Sequence, residues 1–132
     1  EKIKSNAISN TKIVWKKKII CFDLDNTLCR TEKNYYRKSK PIKKKISFVN
    51  NLYNKGFIIK IFTARFMGRS NENITLAKKK GYNFTKIQLK KWNLKYHNLI
   101  FGKPSYDLFI DDKNLSFTNN WEKKIRDHLK IK

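Results

Sequence analysis

The stretch Ile19-Ile20-Cys21-Phe22-Asp23-Leu24-Asp25-Asn26-Thr27-Leu28 decides how this chain is read. With Lys18 in front, its first residues form a short run of β-formers, the pattern of a strand buried on both faces. Two carboxylates, Asp23 and Asp25, follow as the run ends. Downstream, residues 57–62 repeat the buried-strand pattern. Between the two runs, Pro41 can open a helix over residues 41–54, with Ile42, Ile46, Val49, Leu52 and Tyr53 on one side and Gly56 closing it. Strand, helix and strand in that order predict a parallel sheet with helical crossovers, a small α/β sandwich.

Further along, the pattern weakens. A helix is expected over residues 71–80, and after Gly81 the run Thr85-Lys86-Ile87-Gln88 resembles a capping box opening another short helix. Residues 96–101 and 106–110 are strand candidates, and a last amphipathic helix carries Trp121, Ile125 and Leu129. At 132 residues the chain is sized for one domain. We read residues 1–17 as a polar N-terminal extension, about 18–117 as the core and about 120–131 as the C-terminal helix. The first residue is Glu1 rather than Met, as in a fragment or a trimmed chain, which leaves an upstream segment open. No long apolar span or signal-peptide core occurs, so a soluble, cytoplasmic protein without membrane contact is expected. Cys21 and Cys29 make neither a disulfide framework nor a zinc spacing, and reduced thiols are the default.

The formal net charge of +22 suggests phosphate-rich partners. A second explanation competes, because the excess comes from 27 Lys against 5 Arg, beside 15 Asn and 16 Ile, the residues favoured by A/T-rich codons. Nucleic-acid readers draw on Arg for bidentate contacts and stacking, so we favour codon bias over a nucleic-acid partner.

The carboxylates are more telling. The chain has only 10 Asp and Glu, yet Asp23 and Asp25 follow the first expected strand and Asp111 and Asp112 follow the last. Sites in parallel sheets lie at the carboxyl edge of the strands. Four acids there predict a divalent-cation site, since hard oxygen donors suit Mg2+ and unscreened like charges repel.

Residues 19–28 resemble the first motif of the haloacid dehalogenase superfamily of phosphotransferases, an apolar strand followed by Asp-x-Asp-x-Thr. Ile61-Phe62-Thr63 is similar to the second motif, Lys103 in Gly102-Lys103-Pro104 to the third, and Ile110-Asp111-Asp112 to the fourth, in order and at fitting spacing. Thr63-Ala64-Arg65 and residues 96–113 are similar to small bacterial members associated with capsule or surface-polysaccharide biosynthesis. The resemblance implies a three-layer α/β sandwich with a parallel Rossmann-like sheet. It also implies a Mg2+-dependent phosphatase, because superfamily phosphatases carry Asp at the position of Asp25.

A phosphate monoester dianion repels a carboxylate nucleophile, so cationic bridging is needed before attack. On this reading Asp23 attacks and binds metal, while Asp25 protonates the leaving oxygen and later takes a proton from water. The resemblance makes the Asp25 carbonyl a second ligand and Asp111 a third, with Asp112 a ligand through water or an orienting group. Lys103 pairs with Asp23 and the phosphoryl oxygens, while Thr63 and nearby amides, including that of Ala64, hold the transferring group. Arg65 either binds substrate or pairs with Asp112. Thr27 is read as a turn stabiliser, Cys21 as packing, and Cys29 and His97 as bystanders.

The expected substrate is a small phosphorylated metabolite, a sugar phosphate or related precursor of surface polysaccharide; the alternative is a nucleic-acid 3′-phosphate end. The intervals Thr27 to Thr63 and Thr63 to Lys103 are too short for an independent domain of roughly 50 residues, so no cap domain is expected. The site is then open, or completed by another subunit in a homo-oligomer.

Overall fold

A computed structural model describes residues 17–132, so the polar start of the chain lies outside the described residues. In chain order the elements are β1 (Ile19–Asp23), β2 (Cys29–Arg30), β3 (Lys40–Pro41), α1 (Lys43–Asn54), β4 (Ile58–Thr63), α2 (Ile74–Lys91), β5 (Asn98–Phe101) and α3 (Trp121–Leu129). The protein is a small α/β structure. Its parallel sheet has the order β1-β4-β5, with α1 leading into β4 and α2 into β5, while β2 and β3 form a separate antiparallel pair.

Register explains the core. Ile20 pairs with Ile59, Phe22 with Ile61, Ile61 with Leu99 and Thr63 with Phe101, so these side chains share one face of the sheet. Ile59 and Ile61 are fully buried there, and α1 adds Ile46, Val49 and Leu52 from successive turns. Each fully buried Ile or Leu contributes about 1.5–3 kcal/mol of transfer free energy. The opposite face is half-open: Cys21 is exposed and Ile19 is 54% exposed. Burial of the strands on both faces is therefore corrected, because among the described residues side-chain burial alternates along each strand.

Pro41 belongs to β3 rather than to α1, whose N-terminal neighbour is Ile42. Gly56, at φ +97°, turns the chain after α1 into β4 as expected. The larger correction concerns α2, where two short helices were expected. A single 18-residue helix runs through Gly81 and is capped by Asn73, whose Oδ1 accepts from Leu76 N at 2.9 Å. Gly81 is a packing residue, since a Cβ there would lie 2.2 Å from the Phe66 ring. The expected helix start at Thr85 fails for the same reason, because nothing interrupts α2 before it.

Residues 106–110 form no strand. Ser105 is drawn to Glu72, with its N and Oγ each 3.0 Å from a Glu72 carboxylate oxygen, and beyond it Leu108 is 77% and Ile110 86% exposed. Apolar content without a paired edge does not make a strand. α3 forms where the amphipathic pattern predicts it; Trp121 packs 5.5 Å from the Phe22 ring and Glu122 pairs with Lys45 at 2.5 Å. No described helix is long and apolar enough to cross a membrane.

Candidate active site

β1 delivers Asp23 to the carboxyl edge of the sheet, opposite Phe62 and beside Thr63 at the end of β4. The following turn is anchored by the fully buried Leu24 and Leu28, with the Leu28 N–H donating to the Leu24 carbonyl at 2.9 Å. Asn26 takes the left-handed conformation at φ +63°, which Asn tolerates better than most residues. Thr27 does more than stabilise the turn, because its hydroxyl donates to Asp23 Oδ2 at 3.2 Å.

Lys103 arrives from the other side. Gly102 has φ +104°, and a Cβ there would meet Ile74 at 3.0 Å, so glycine serves both the turn and the close approach. The Lys103 N–H donates to the Thr63 carbonyl at 3.2 Å, and its Nζ donates to Asp23 Oδ1 at 3.1 Å. Partial burial alone would lower the Lys103 pKa, but the Tyr106 hydroxyl and the Asp23 carboxylate outweigh it and hold the amine above its ordinary value. The site thus contains a charged amine against a carboxylate that is about one-third exposed.

Asp25 is held differently. Arg65, fully buried, sets its Nη2 2.9 Å from Asp25 Oδ1 and its Nε 2.9 Å from Oδ2. Both readings of Arg65, substrate contact and pairing with Asp112, are replaced by this ion pair. The rest of the guanidinium is satisfied within the protein: Nη1 donates to Gln88 Oε1 at 2.6 Å and to Thr85 Oγ1 at 3.4 Å, and Nη2 donates to Ser39 Oγ at 3.3 Å. Its Cζ lies 4.9 Å from the Tyr36 ring centroid, within cation–π range. A buried charge is tolerated when it is paired and hydrogen-bonded, and removing one partner of such a pair costs about 3–5 kcal/mol.

Thr31 completes the setting of Asp25 by donating from Oγ1 to Oδ1 at 2.5 Å, and Cys29 Sγ lies 3.5 Å from the same oxygen. Cys29 is therefore no bystander. Burial and the neighbouring carboxylate push its thiol up to about 11, which keeps it protonated and able to donate. Partial desolvation also raises the Cys21 thiol, although its side chain is exposed rather than packed as expected. Thr63 is buried and its Oγ1 accepts from the Arg65 N–H at 3.1 Å, so its hydroxyl shapes the turn into Ala64 and Arg65. His97 stacks on Tyr53 and accepts from Ile59 N at 3.0 Å, which is a structural role.

Residue types alone did not point to Thr31, Ser39, Thr85 and Gln88. A signal was present for the last two: spaced by three on a helix, they share its buried face with Ala77 and Gly81.

Asp111 and Asp112 lie exposed in the irregular segment after β5, and no strand brings them to the edge where Asp23 and Asp25 sit. The expected meeting of four carboxylates is corrected accordingly. Among the described residues no group of three or more His, Cys, Asp or Glu side chains is arranged to hold a metal ion. The side chain of Asp25 is moreover committed to Arg65.

No family model and no curated protein matches the chain. A crystal structure of a Vibrio cholerae protein, described only as a target, is similar in fold: TM-score 0.70, 24% identity, covering 85% of this chain and 98% of that one. At that identity the likeness extends to the fold alone.

Proposed function

We propose that the protein is a phosphomonoesterase that works through an aspartyl-phosphate on Asp23. The observation that carries this reading is the Lys103–Asp23 pair at the carboxyl edge of the sheet, with a second carboxylate, Asp25, two residues on. An Asp23 oxygen attacks phosphorus, forming an acyl phosphate as the bond to the leaving oxygen breaks. Lys103 offsets the charge gathering on the phosphoryl oxygens. Asp25 gives its proton to the leaving oxygen, then takes one from the water that attacks the acyl phosphate, releasing inorganic phosphate and restoring Asp23.

The motif resemblance adds a haloacid dehalogenase-like fold with a third layer, a Mg2+ requirement that brings in Asp111 and Asp112, and a small sugar phosphate or polysaccharide precursor as substrate. The segments between the motifs support an open site: residues 28–41 are taken up by β2, β3 and a short 3-10 turn, and residues 64–102 by a second such turn, α2 and β5. A phosphate-release screen across sugar phosphates, with and without Mg2+ after chelator treatment, tests the reading. Magnesium-dependent release from at least one ester supports it, and silence across the panel and on a 3′-phosphorylated oligonucleotide overturns it.

A further inference from the structure

Resting on the hydrolase reading, we infer that Arg65 is a positioning residue that makes Oδ2 of Asp25 the proton-handling oxygen. The two oxygens of that carboxylate are unequally engaged. Oδ1 accepts from Thr31 Oγ1 at 2.5 Å and Arg65 Nη2 at 2.9 Å, with Arg65 Nε at 3.2 Å and Cys29 Sγ at 3.5 Å also against it. Among the described residues, Oδ2 has Arg65 Nε alone, at 2.9 Å.

A carboxylate oxygen has two lone-pair directions, and donors crowd those of Oδ1. Oδ2 keeps one free, and the Asp25 side chain is 20% exposed, so that lone pair can exchange a proton with a leaving oxygen or a water. Arg65 sets this asymmetry without meeting the substrate. Its side chain has no exposed surface, and Gln88, Thr85, Ser39 and the Tyr36 ring fix its plane. A planar fork anchored on α2 and on Tyr36 and Ser39, just ahead of β3, fixes the χ2 angle of Asp25, where a lone lysine ammonium would leave it free to turn.

The test compares two esters. Nitrophenolate leaves phosphorus without a proton, whereas the alkoxide of a sugar phosphate needs one. Arg65→Lys and Thr31→Val are assayed on p-nitrophenyl phosphate and on a sugar phosphate that the wild type hydrolyses. The expected result for both variants is a kcat/KM, which reads the steps up to acyl-phosphate formation and not the hydrolysis both esters share, that falls at least about 10-fold more on the sugar phosphate than on p-nitrophenyl phosphate, part of the range that general-acid catalysis supplies. KM should stay within about 3-fold in both, as uniform substrate binding is untouched.

In an Asp25→Asn background, adding Arg65→Lys should cost nothing further on the sugar phosphate. Equal losses on both esters, a KM effect without a kcat effect, or an undiminished Arg65 effect in the Asp25→Asn background would each overturn the assignment. If Arg65→Lys does not fold, Thr31→Val, a near-isosteric change, decides alone by the same ratio. A wild type silent on p-nitrophenyl phosphate, on the sugar-phosphate panel and on the 3′-phosphorylated oligonucleotide overturns the hydrolase reading and this role with it, whereas a wild type active on both esters with equal variant losses overturns this role alone.

Discussion

Lys103 and Asp23 are 80 positions apart in sequence, yet the lysine Nζ sits 3.1 Å from Asp23 Oδ1. Two parallel strands and a glycine turn achieve this: β1 ends at Asp23, β5 ends at Phe101, and Gly102 swings the next side chain back across the strand ends. Replacing Asp23 by Asn keeps the shape and removes the charge. Asp23→Asn protein should retain its circular dichroism and lose turnover by 100-fold or more, roughly the scale set by a missing catalytic group. Folded variant with more than about a tenth of wild-type activity would reassign the nucleophile.

Gly81 reverses a familiar rule. An exposed mid-helix Gly→Ala change stabilises by roughly 0.5–1 kcal/mol, but here the new methyl meets the Phe66 ring at 2.2 Å. Gly81→Ala should therefore destabilise by about 1–3 kcal/mol in urea unfolding. Adding Phe66→Ala should recover the helix-propensity gain, so that the second alanine at position 81 becomes favourable in that background.

The Lys45–Glu122 pair joins α1 to α3 almost out of contact with water, with side-chain exposures of 11% and 5%. Burial would raise the Glu122 pKa, but the Lys45 ammonium outweighs it and holds the carboxyl below its ordinary 4.5. A carboxyl depressed on folding stabilises the native state above its unfolded pKa and loses that contribution as pH falls through the folded value. Stability should thus decline below about pH 4.5 in the wild type, and less steeply in Glu122→Gln. Thermal midpoints across pH 3 to pH 7, taken as roughly the window in which carboxyls titrate, would decide it.

Codon bias and nucleic-acid binding make opposite forecasts. With lysines spread along the chain rather than gathered as an arginine-rich reading surface, duplex DNA should bind weakly, without sequence preference. Affinity should fall steeply, by about 1,000-fold where several phosphates are contacted, as salt rises from about 50 mM to about 200 mM. Submicromolar binding at physiological salt would instead favour the nucleic-acid end as substrate.

Most of the frame around β1 was legible from residue types. The β-branched runs at Ile19–Asp23 and Ile58–Thr63 and the apolar spacing of α1 are each local signals that tertiary contacts reinforce. α2 was not legible, and Arg65 explains why. Its buried stripe includes Gly81, Thr85 and Gln88 because it faces a guanidinium and a phenyl ring, while Ile87 on the outer side is 58% exposed. An amphipathic pattern built for a polar partner inverts the usual reading, and Thr85 and Gln88 imitate a capping box while serving as acceptors. The Asp25–Arg65 pair spans 40 positions and had no local signature at all.

Among the described residues β1 is bonded to β4 on one side only, and that arrangement governs how the molecule behaves in a crowd. No described residue pairs with the other side of the strand bearing Asp23, whose amides and carbonyls another extended segment could extend by pairing. Exposed Lys17 and Lys18 lie at its entrance, and a formal charge of +22 surrounds it. A charge of that size repels other copies of the chain at low salt, a barrier whose reach shrinks to about 3 Å in 1 M salt. The lysine excess, whatever produced it, is a colloidal guard on the edge nearest the chemistry: high ionic strength removes the guard while leaving the edge in place.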